Sequence, residues 1–449
     1  MNRIRSAIGG IEWPAIPGNT GSSMLATLFQ LERSQWLPAA EIWPHQRRQL
    51  RALLRHAAAT VPYYRDRIAG QVGALADDFS IEDFARLPKL TRSDLQQSFD
   101  ALCAQRLPPG HGNAMAGTTS GSTGEPVRYL ATHVSNYFWQ AFMLREHLWH
   151  RRDMDAKMLV IRVEKEPRVS DNWFGNVGRE LLDTGPLVLL PAAWTFDRQL
   201  DRLLEEKPAY LLGYANNVLE IFRAAERRGG AMPWLREARV FGEAVSEDMR
   251  TYIRDRWNLP LSDVYTARET GYMAIQCKEH GAYHVQAESA FVEVLGEDGQ
   301  PCGPGGVGRV VVTPLHGFAL PLIRYEIGDY AEVGEPCPCG RGLPALRRIH
   351  GRRRNALTLP DGSKRWPTIG TTRLLDIAPI RRFKVVQKSL SDIEVRLIVA
   401  RPLLESETAA LRAHLTDQFG HPFNWHFVFL DEFPPQPGDK FEDFISEVS

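Results

Sequence analysis

A lopsided charge is missing from this sequence. Across 449 residues, 54 Lys and Arg face 54 Asp and Glu, a formal net charge of zero. A protein with an extended phosphate footprint on nucleic acid carries a basic excess, so no nucleic-acid partner is expected. Long apolar runs are missing too. No stretch approaches the ~18 residues that a spanning helix requires. The opening MNRIRSAIGGIEWPAIPG has no apolar segment suited to a signal peptide. A soluble, cytoplasmic protein with no membrane partner is the expectation. Cysteine is scarce: five in a chain of this length do not make a disulfide scaffold. Internal repeats and low-complexity tracts are absent. What is present is 43% hydrophobic residues and 24% charged ones, enough to bury a sizeable core. At roughly 100–200 residues per domain, two to four domains or subdomains follow.

The chain changes character along its length. Residues 44–59 place Leu50, Leu53, Leu54 and Ala57 at helical spacing with arginines opposite, and a second helical stretch follows near 81–87. Residues 108–126 are poor in large apolar side chains and predict a loop. Beyond them, the runs MLVI (158–161), LVLL (187–190) and AYLLGY (209–214) alternate with amphipathic helices such as 216–229, which stops at Gly229-Gly230. That alternation predicts a mostly parallel sheet covered on both faces. From about 285, FVEVL (291–295) and GRVVVTPL (308–315) flank a turn-rich stretch and read as β-hairpins. The basic, turn-rich segment 350–367 is a candidate hinge. After it, strands at 383–387 and 393–400, a helix at 405–419 and a strand at 424–430 give a β-β-α-β tail. The expected division is therefore a large unit over 1–350 and a small one over 351–449.

The stretch GTTSGSTGEP (117–126) carries the most chemistry. Its glycines let backbone approach a ligand, and successive N–H groups can form an anion-binding concavity. The hydroxyls of Thr119, Ser120, Ser122 and Thr123, between Gly121 and Gly124, add donors for phosphate oxygens. No Gly-Lys-Ser/Thr follows, so it is not a Walker loop. A flexible Gly/Ser linker has the same composition, but strand-like residues 127–130 come directly after it.

This loop resembles the phosphate-binding signature of adenylate-forming enzymes, and further motifs recur in that superfamily's order. FGEAVSEDMRTYIRDRW (241–257) resembles its adenine-binding turn, which implies that Gly242, Glu243 and Ala244 present backbone to the base. YTARETG (265–271) is similar to the Tyr-Gly-x-Thr-Glu motif. There Tyr265 would stack on adenine, Thr266 would lie beside it, and Glu269 would hold Mg²⁺. IRYEIGDYAEV (323–333) resembles the motif whose aspartate grips the ribose hydroxyls, here Asp329. HGRRRN (350–355) resembles the hinge motif, with Arg352 as its arginine. PPQPGDKFEDFIS (434–446) resembles the C-terminal motif that supplies a catalytic lysine, here Lys440. Thr123 and Glu269 complete the implied catalytic set. The sequence departs from the family pattern at Glu125, Thr266, Arg268, Arg354, Asn355, Gln436 and Asp439. Within the superfamily, HAAATVPYYRDRI (56–68), FARLPKLTRSDL (84–95) and CPCGRGLPALRRIHGR (337–352) point to phenylacetate–CoA ligases and their capsule-biosynthesis and deazaflavin-adenylylating relatives.

The resemblance implies an α/β fold: a large adenylate-forming domain of helix-flanked parallel sheets plus a β-rich subdomain, and a small mobile C-terminal α+β domain. It implies ATP, Mg²⁺ and coenzyme A, with an aryl or bulky organic acid as the small-molecule substrate. The acid would become an acyl-adenylate with release of pyrophosphate and then pass to coenzyme A. Passing AMP or the acyl group to a hydroxyl or amine is the alternative. Tyr214, Trp173 and Phe174 are candidates to line an acyl pocket, and family members often pair, so a homodimer is the candidate assembly. The cysteines raise a metal. Cys337 and Cys339 share a Gly/Pro turn, and Cys277 is followed by His280 and His284; three thiolates and one imidazole make a closed tetrahedral site of the structural zinc kind. Unrelated reduced cysteines are the alternative reading. His284 matches the relatives' histidine better, and His280 is the other choice.

Overall fold

The structure is a computed structural model and describes residues 3–65, 67–119, 126–367, 369, 371–433 and 443–448. Its organising element is one twelve-stranded mixed sheet. The strands are β3 (Met158–Arg162), β4 (Arg168–Ser170), β5 (Leu187–Pro191), β6 (Tyr210–Tyr214), β7 (Glu237–Phe241), β8 (Leu261–Ala267), β9 (Gly271–Gln276), β10 (Tyr283–Val285), β11 (Ala290–Leu295), β12 (Val307–Pro314), β13 (Tyr325–Val333) and β14 (Ala345–Arg352). They lie in the order β11-β12-β13-β14-β10-β9-β8-β7-β6-β3-β5-β4. The run β5-β3-β6-β7-β8 is parallel, and every pairing outside it is antiparallel. The parallel part and the β-rich section expected from the sequence are thus one continuous sheet.

Alternation along the central strands shows why both faces must be covered. Leu159, Ile161, Val188, Leu190 and Leu211 pack with α4 (Ala215–Arg227) and α5 (Glu247–Trp257), while Met158, Val160, Leu187, Leu189 and Tyr210 face α1 (Asn19–Ser34) and α3 (His133–Trp149). Such doubly buried strands read as near-continuous apolar runs. A third cluster joins α2 (Ala39–Thr60), the segment 79–102 and the antiparallel strands around Tyr325. No helix among the described residues is long and apolar enough to cross a membrane.

The tail builds a separate four-stranded sheet in the order β17-β16-β15-β18: β15 (Ile380–Gln387), β16 (Asp392–Val399), β17 (Asn424–Phe429) and β18 (Phe444–Ser446), with α6 (Glu405–Phe419) packed on it. Its apolar cluster, Leu357 to Phe444, is distinct from those of the large sheet. The β-β-α-β order holds, and β18 is an addition, three residues that pair in parallel with β15. Two corrections to the sequence reading follow. The stretch 108–126 is not wholly loop: β1 (Met115–Thr118) pairs with β2 (Arg128–Ala131). The pattern Met-Ala-Gly-Thr is too small and exposed to show a buried face, so the pairing is supplied by its partner. The 44–59 helix begins at Ala39 and carries Pro44 inside it.

Candidate nucleotide site and cysteine cluster

In a parallel sheet with helices on both faces, ligands bind beyond the carboxyl ends of the strands. β6, β7 and β8 end side by side at such an edge, with Tyr214 opposite Phe241 and Phe241 opposite Val264. The Gly242-Glu243-Ala244 turn leaves β7 there, and Gly242 has φ +73°. Glu243 accepts a hydrogen bond from the Asn216 N–H at the start of α4, 2.9 Å away, which fixes the turn. Next to it, a β-bulge between Tyr265 and Thr266 re-aims the end of β8 before the turn that carries Arg268 and Glu269.

The hairpin β13–β14 closes the other wall. Asp329 and Arg352 are register partners across it, and the Arg352 Nε lies 2.9 Å from Asp329 Oδ1. The second Asp329 oxygen accepts from the Tyr265 hydroxyl at 2.8 Å. Arg352 also donates to the Ile327 carbonyl at 2.9 Å. Burial, together with the Asp329 charge, raises the Tyr265 hydroxyl pKa and keeps it a donor. Asp329 in turn raises Arg352. Gly351, at φ +79°, lets the hairpin approach the adenine-type turn: a Cβ there would stand 3.1 Å from the Ala244 Cβ. Four separate sequence motifs thus converge on one edge of the sheet. Glu269 is half-buried beside them, and burial raises its carboxyl above the usual range, partly offset by Arg352 and Arg92.

The other end of the same hairpin holds sulfur. Cys277, His284, Cys337 and Cys339 bring their ligand atoms within 4.8 Å of one another. The Cys337 and Cys277 sulfurs are 3.8 Å apart, and the Cys339 Sγ is 3.3 Å from the His284 Nε2. β9, β10 and the β13–β14 loop deliver them. His280 is exposed and outside the cluster, so the alternative ligand is excluded. The loop is also tied to the N-terminal helices: Arg341 Nε donates to the Gln35 side chain at 2.8 Å, and its guanidinium lies 4.3 Å from the Trp149 ring.

No family model matches the sequence. A phenylacetate-coenzyme A ligase from Thermus thermophilus is 25% identical over 394 residues, covering 82% of this chain and 83% of that protein. One from Escherichia coli is 25% identical over 341 residues, covering 73% and 75%. CapK from Staphylococcus aureus is 24% identical over 217 residues, or 46% of this chain and 45% of that one. Among solved structures, a 2-hydroxyisobutyryl-CoA ligase in its postadenylation state superposes with a TM-score of 0.73 at 18% identity, over 93% of this chain and 92% of that chain. The sequence is thus similar to phenylacetate-coenzyme A ligases over most of its length, and the fold is that of the 2-hydroxyisobutyryl-CoA ligase.

The expected residues are placed unevenly in this chain. Tyr265, Asp329, Arg352, Ala244 and Glu269 come together; Thr266 lies at the bulge. Thr119 closes the β1–β2 hairpin instead of standing free: its N–H donates to the Val127 carbonyl, and its hydroxyl accepts from the Val127 N–H. Ser120, Gly121, Ser122, Thr123 and Gly124 lie outside the described residues, as does Lys440. Trp173 and Phe174 are buried in the apolar cluster, against Tyr210 and His147. Tyr214 does sit at the strand edge, 4.8 Å from the Phe241 ring. Sequence reasoning missed Arg92 and Tyr325, whose interactions with Glu269 bring them to the site. The likeness of 84–95 to the family was the available signal, because Leu90 in that stretch hydrogen-bonds to Arg324 and Glu326 of the β13 segment.

Proposed function

We propose that this chain activates a carboxylic acid with ATP and passes the acyl group to coenzyme A. The observation that carries the reading is the Asp329 carboxylate, held at once by Tyr265 and Arg352 beside the Ala244 turn and Glu269. Fixed in this way, Asp329 keeps an acceptor for a ribose diol, and the turn after β7 offers backbone to a flat base. The acid's carboxylate oxygen attacks the α-phosphorus; the O–P bond forms as the bond to pyrophosphate breaks. The thiol sulfur then forms a bond to the acyl carbon, AMP leaves with its oxygen, and the thiol proton passes to solvent. Negative charge grows on phosphate oxygens in the first step, so positioning and cationic stabilisation supply most of the catalysis. Glu269 is the carboxylate suited to hold Mg²⁺, which when bound neutralises triphosphate charge. Arg268 is exposed on the turn before it, its guanidinium 5.7 Å from the Trp139 ring, and offers a cation to the acid or the α-phosphate. Lys440 is the further cation.

The division near 350 supports domain movement. Asn355 accepts from the Arg352 N–H at 3.1 Å and donates to the Phe444 carbonyl at 2.9 Å, clasping the hairpin end to the second sheet. The 2-hydroxyisobutyryl-CoA ligase superposes at 0.73 in its postadenylation state but at 0.60 in its thioesterification state. That difference supports a swivel of unit 351–449 on unit 1–350 about Arg352–Asn355. The Cys277–His284–Cys337–Cys339 cluster fits Zn²⁺: two sulfurs ~2.3 Å from a tetrahedral ion stand about 3.8 Å apart, the separation seen between Cys277 and Cys337. Such an ion would staple β9, β10 and the β13–β14 loop, away from the chemistry. The test is pyrophosphate release with a panel of aryl and bulky acids, followed by identification of the product. Acid-dependent release ending in a thioester is expected; an adenylate passed only to an amine or hydroxyl would overturn the second step.

A further inference from the structure

Away from the hinge, side chains of unit 351–449 also meet unit 1–350. Arg256 of α5 lies 3.3 Å from Asp376 of the helix Thr371–Ile377. Both are exposed, and an exposed ion pair contributes little. Arg382 on β15 makes a more buried contact. A β-bulge in the pairing with β16, between Ile380 and Arg382, breaks the alternation of the strand. Ile380 and Phe383 then both join the apolar cluster of the small unit, and Arg382 falls on the opposite face. There its guanidinium lies over two rings, 5.8 Å from the centre of Phe196 and 5.5 Å from that of Phe433. Phe196 opens the helix Phe196–Glu206 of the large unit, whereas Phe433 belongs to the small one. Both distances are within the ~6 Å reach of a cation–π contact. Burial lowers the Arg382 pKa, and the Glu220 and Asp443 carboxylates act against that shift. One half-buried guanidinium is thus shared by the two units.

The same side chain is tied to the chemistry through the chain. Phe433 and Asp443 flank residues 434–442, within the stretch that resembles the lysine-supplying motif. Lys440 is three residues from Asp443, ~11 Å at most along the chain. The Asp443 carbonyl accepts from the Val385 N–H at 2.8 Å, and β18 goes on to pair with Val385–Gln387. β15 therefore carries both Arg382 and the end of that stretch. On the large unit, Glu220 pairs with Arg223 on α4. In the first turn of the same helix, the Asn216 N–H holds Glu243 beside Ala244. From Asn216 to Glu220 the helix rises only ~6 Å. A short series of contacts thus runs from the nucleotide-type turn to the segment with Lys440, and it crosses between the units at Arg382. A swivel about Arg352–Asn355 carries β15 away from Phe196 and Glu220. Contacts made in one arrangement only shift the balance towards that arrangement.

We propose that Arg382 is a positioning residue: docked on Phe196, it holds the small unit in the arrangement for adenylation and is released for the thiol step. The inference rests on the reaction and the swivel proposed above. Its test measures the two steps separately in the wild type, Phe196→Ala, Arg382→Ala and Arg382→Lys. Pyrophosphate release with an acid that the wild type accepts reads the first step. Thioester formation from coenzyme A and added acyl-adenylate reads the second. Both alanine variants should lose at least tenfold in kcat of the first step, with the KM for ATP unchanged. Their second step should be as fast as in the wild type, or faster. Arg382→Lys keeps the charge but not the flat face that stacks, and should fall between. Limited trypsin digestion gives a readout free of catalysis. Cleavage in the basic hinge 350–367 should quicken at least fivefold in Phe196→Ala and Arg382→Ala, at an unchanged melting temperature. Equal losses in both steps would mean a general structural role and overturn the proposal, as would a first step that survives Arg382→Ala. A wild type that releases no pyrophosphate with any acid fails the reaction above instead. The trypsin comparison then decides the docking alone, and equal cleavage overturns it.

Discussion

The two ends of one hairpin solve opposite problems. At the open end of β13–β14, charge is paired to charge: Asp329 sits between Arg352 and Tyr265 and is satisfied without any ligand. At the closed end, sulfur faces sulfur in a buried pocket, and burial pushes the Cys277 thiol up to about 12. From Asp329 to Val333 the strand spans only about 13 Å, at ~3.3 Å per residue. The open end is organised by electrostatics within the chain and keeps its geometry ready for a polar substrate. At the closed end Arg341 Nη1 donates to the Cys339 Sγ at 3.4 Å, while Cys277 is pushed up by burial, and the thiol and imidazole donors there are of the kind that would suit a soft cation. The comparison teaches that one hairpin can carry a charge-paired polar cluster at one end and a thiol–imidazole cluster at the other.

The largest expected effect lies outside the hairpin. With the proposed role of Lys440, Lys440→Ala should cut acid-dependent pyrophosphate release by more than ~10²-fold while leaving the fold and both hairpin ends intact. Release at near wild-type rate in this variant would show that the open end suffices without that cation. Asp329→Ala should come next. It strands Arg352 and Tyr265 together, so the KM for ATP should rise by roughly 10- to 100-fold, with a stability loss of about 1–3 kcal/mol measured by urea denaturation. The opposite signature is expected from the closed end: Cys337→Ser, or chelation of the wild type, should lower the melting temperature by about 5 °C or more with kcat for adenylation nearly unchanged. Chelation that leaves the melting temperature where it was would remove the zinc assignment and the contrast with it.

The smallest effect concerns Glu269. Its pKa is raised in the fold, so its contribution to stability is present at low pH and is lost as pH rises through the folded value. Without added Mg²⁺, Glu269→Gln should therefore be slightly more stable than wild type at neutral pH, with the difference closing towards acid. Metal binding needs the ionised form, so the acidic limb of the adenylation rate should lie above the ordinary carboxylate range and should be missing from the residual activity of the variant. A wild-type limb at ordinary carboxylate pH would place another group in that role.

Legibility varied with the kind of signal. The apolar runs of β3, β5 and β6 were readable because both faces of those strands are buried. β7 was not read as a strand: Glu-Ala-Arg-Val-Phe carries two charges in five residues. Glu237 and Arg239 nevertheless point inwards, because Arg152 meets Glu237 at 2.7 Å and Arg239 meets Glu146 at 2.6 Å. Partners far away in sequence made those charges tolerable, and no local window contains them. For the same reason no local window showed that Trp173 and Phe174 pack against His147 and Tyr210. The site motifs were legible by type and order, since Asp329, Arg352 and Tyr265 each stand in a distinctive local pattern.

By itself the sequence determined the local chemistry: a glycine and hydroxyl loop, an aspartate in a Tyr-x-x-Gly-Asp setting, paired cysteines in a Gly/Pro turn, and the alternation that dictates a helix-covered parallel sheet. These are properties of short windows, where backbone freedom and side-chain type act within a few residues. The tertiary structure alone decided which windows meet. It joined the parallel and antiparallel parts into one sheet, chose His284 over His280, and turned Thr119 to close a hairpin. It also set two unlike sites at opposite ends of β13–β14. Those outcomes depend on register and on burial shared between residues far apart in the chain, and both arise only once the core has packed.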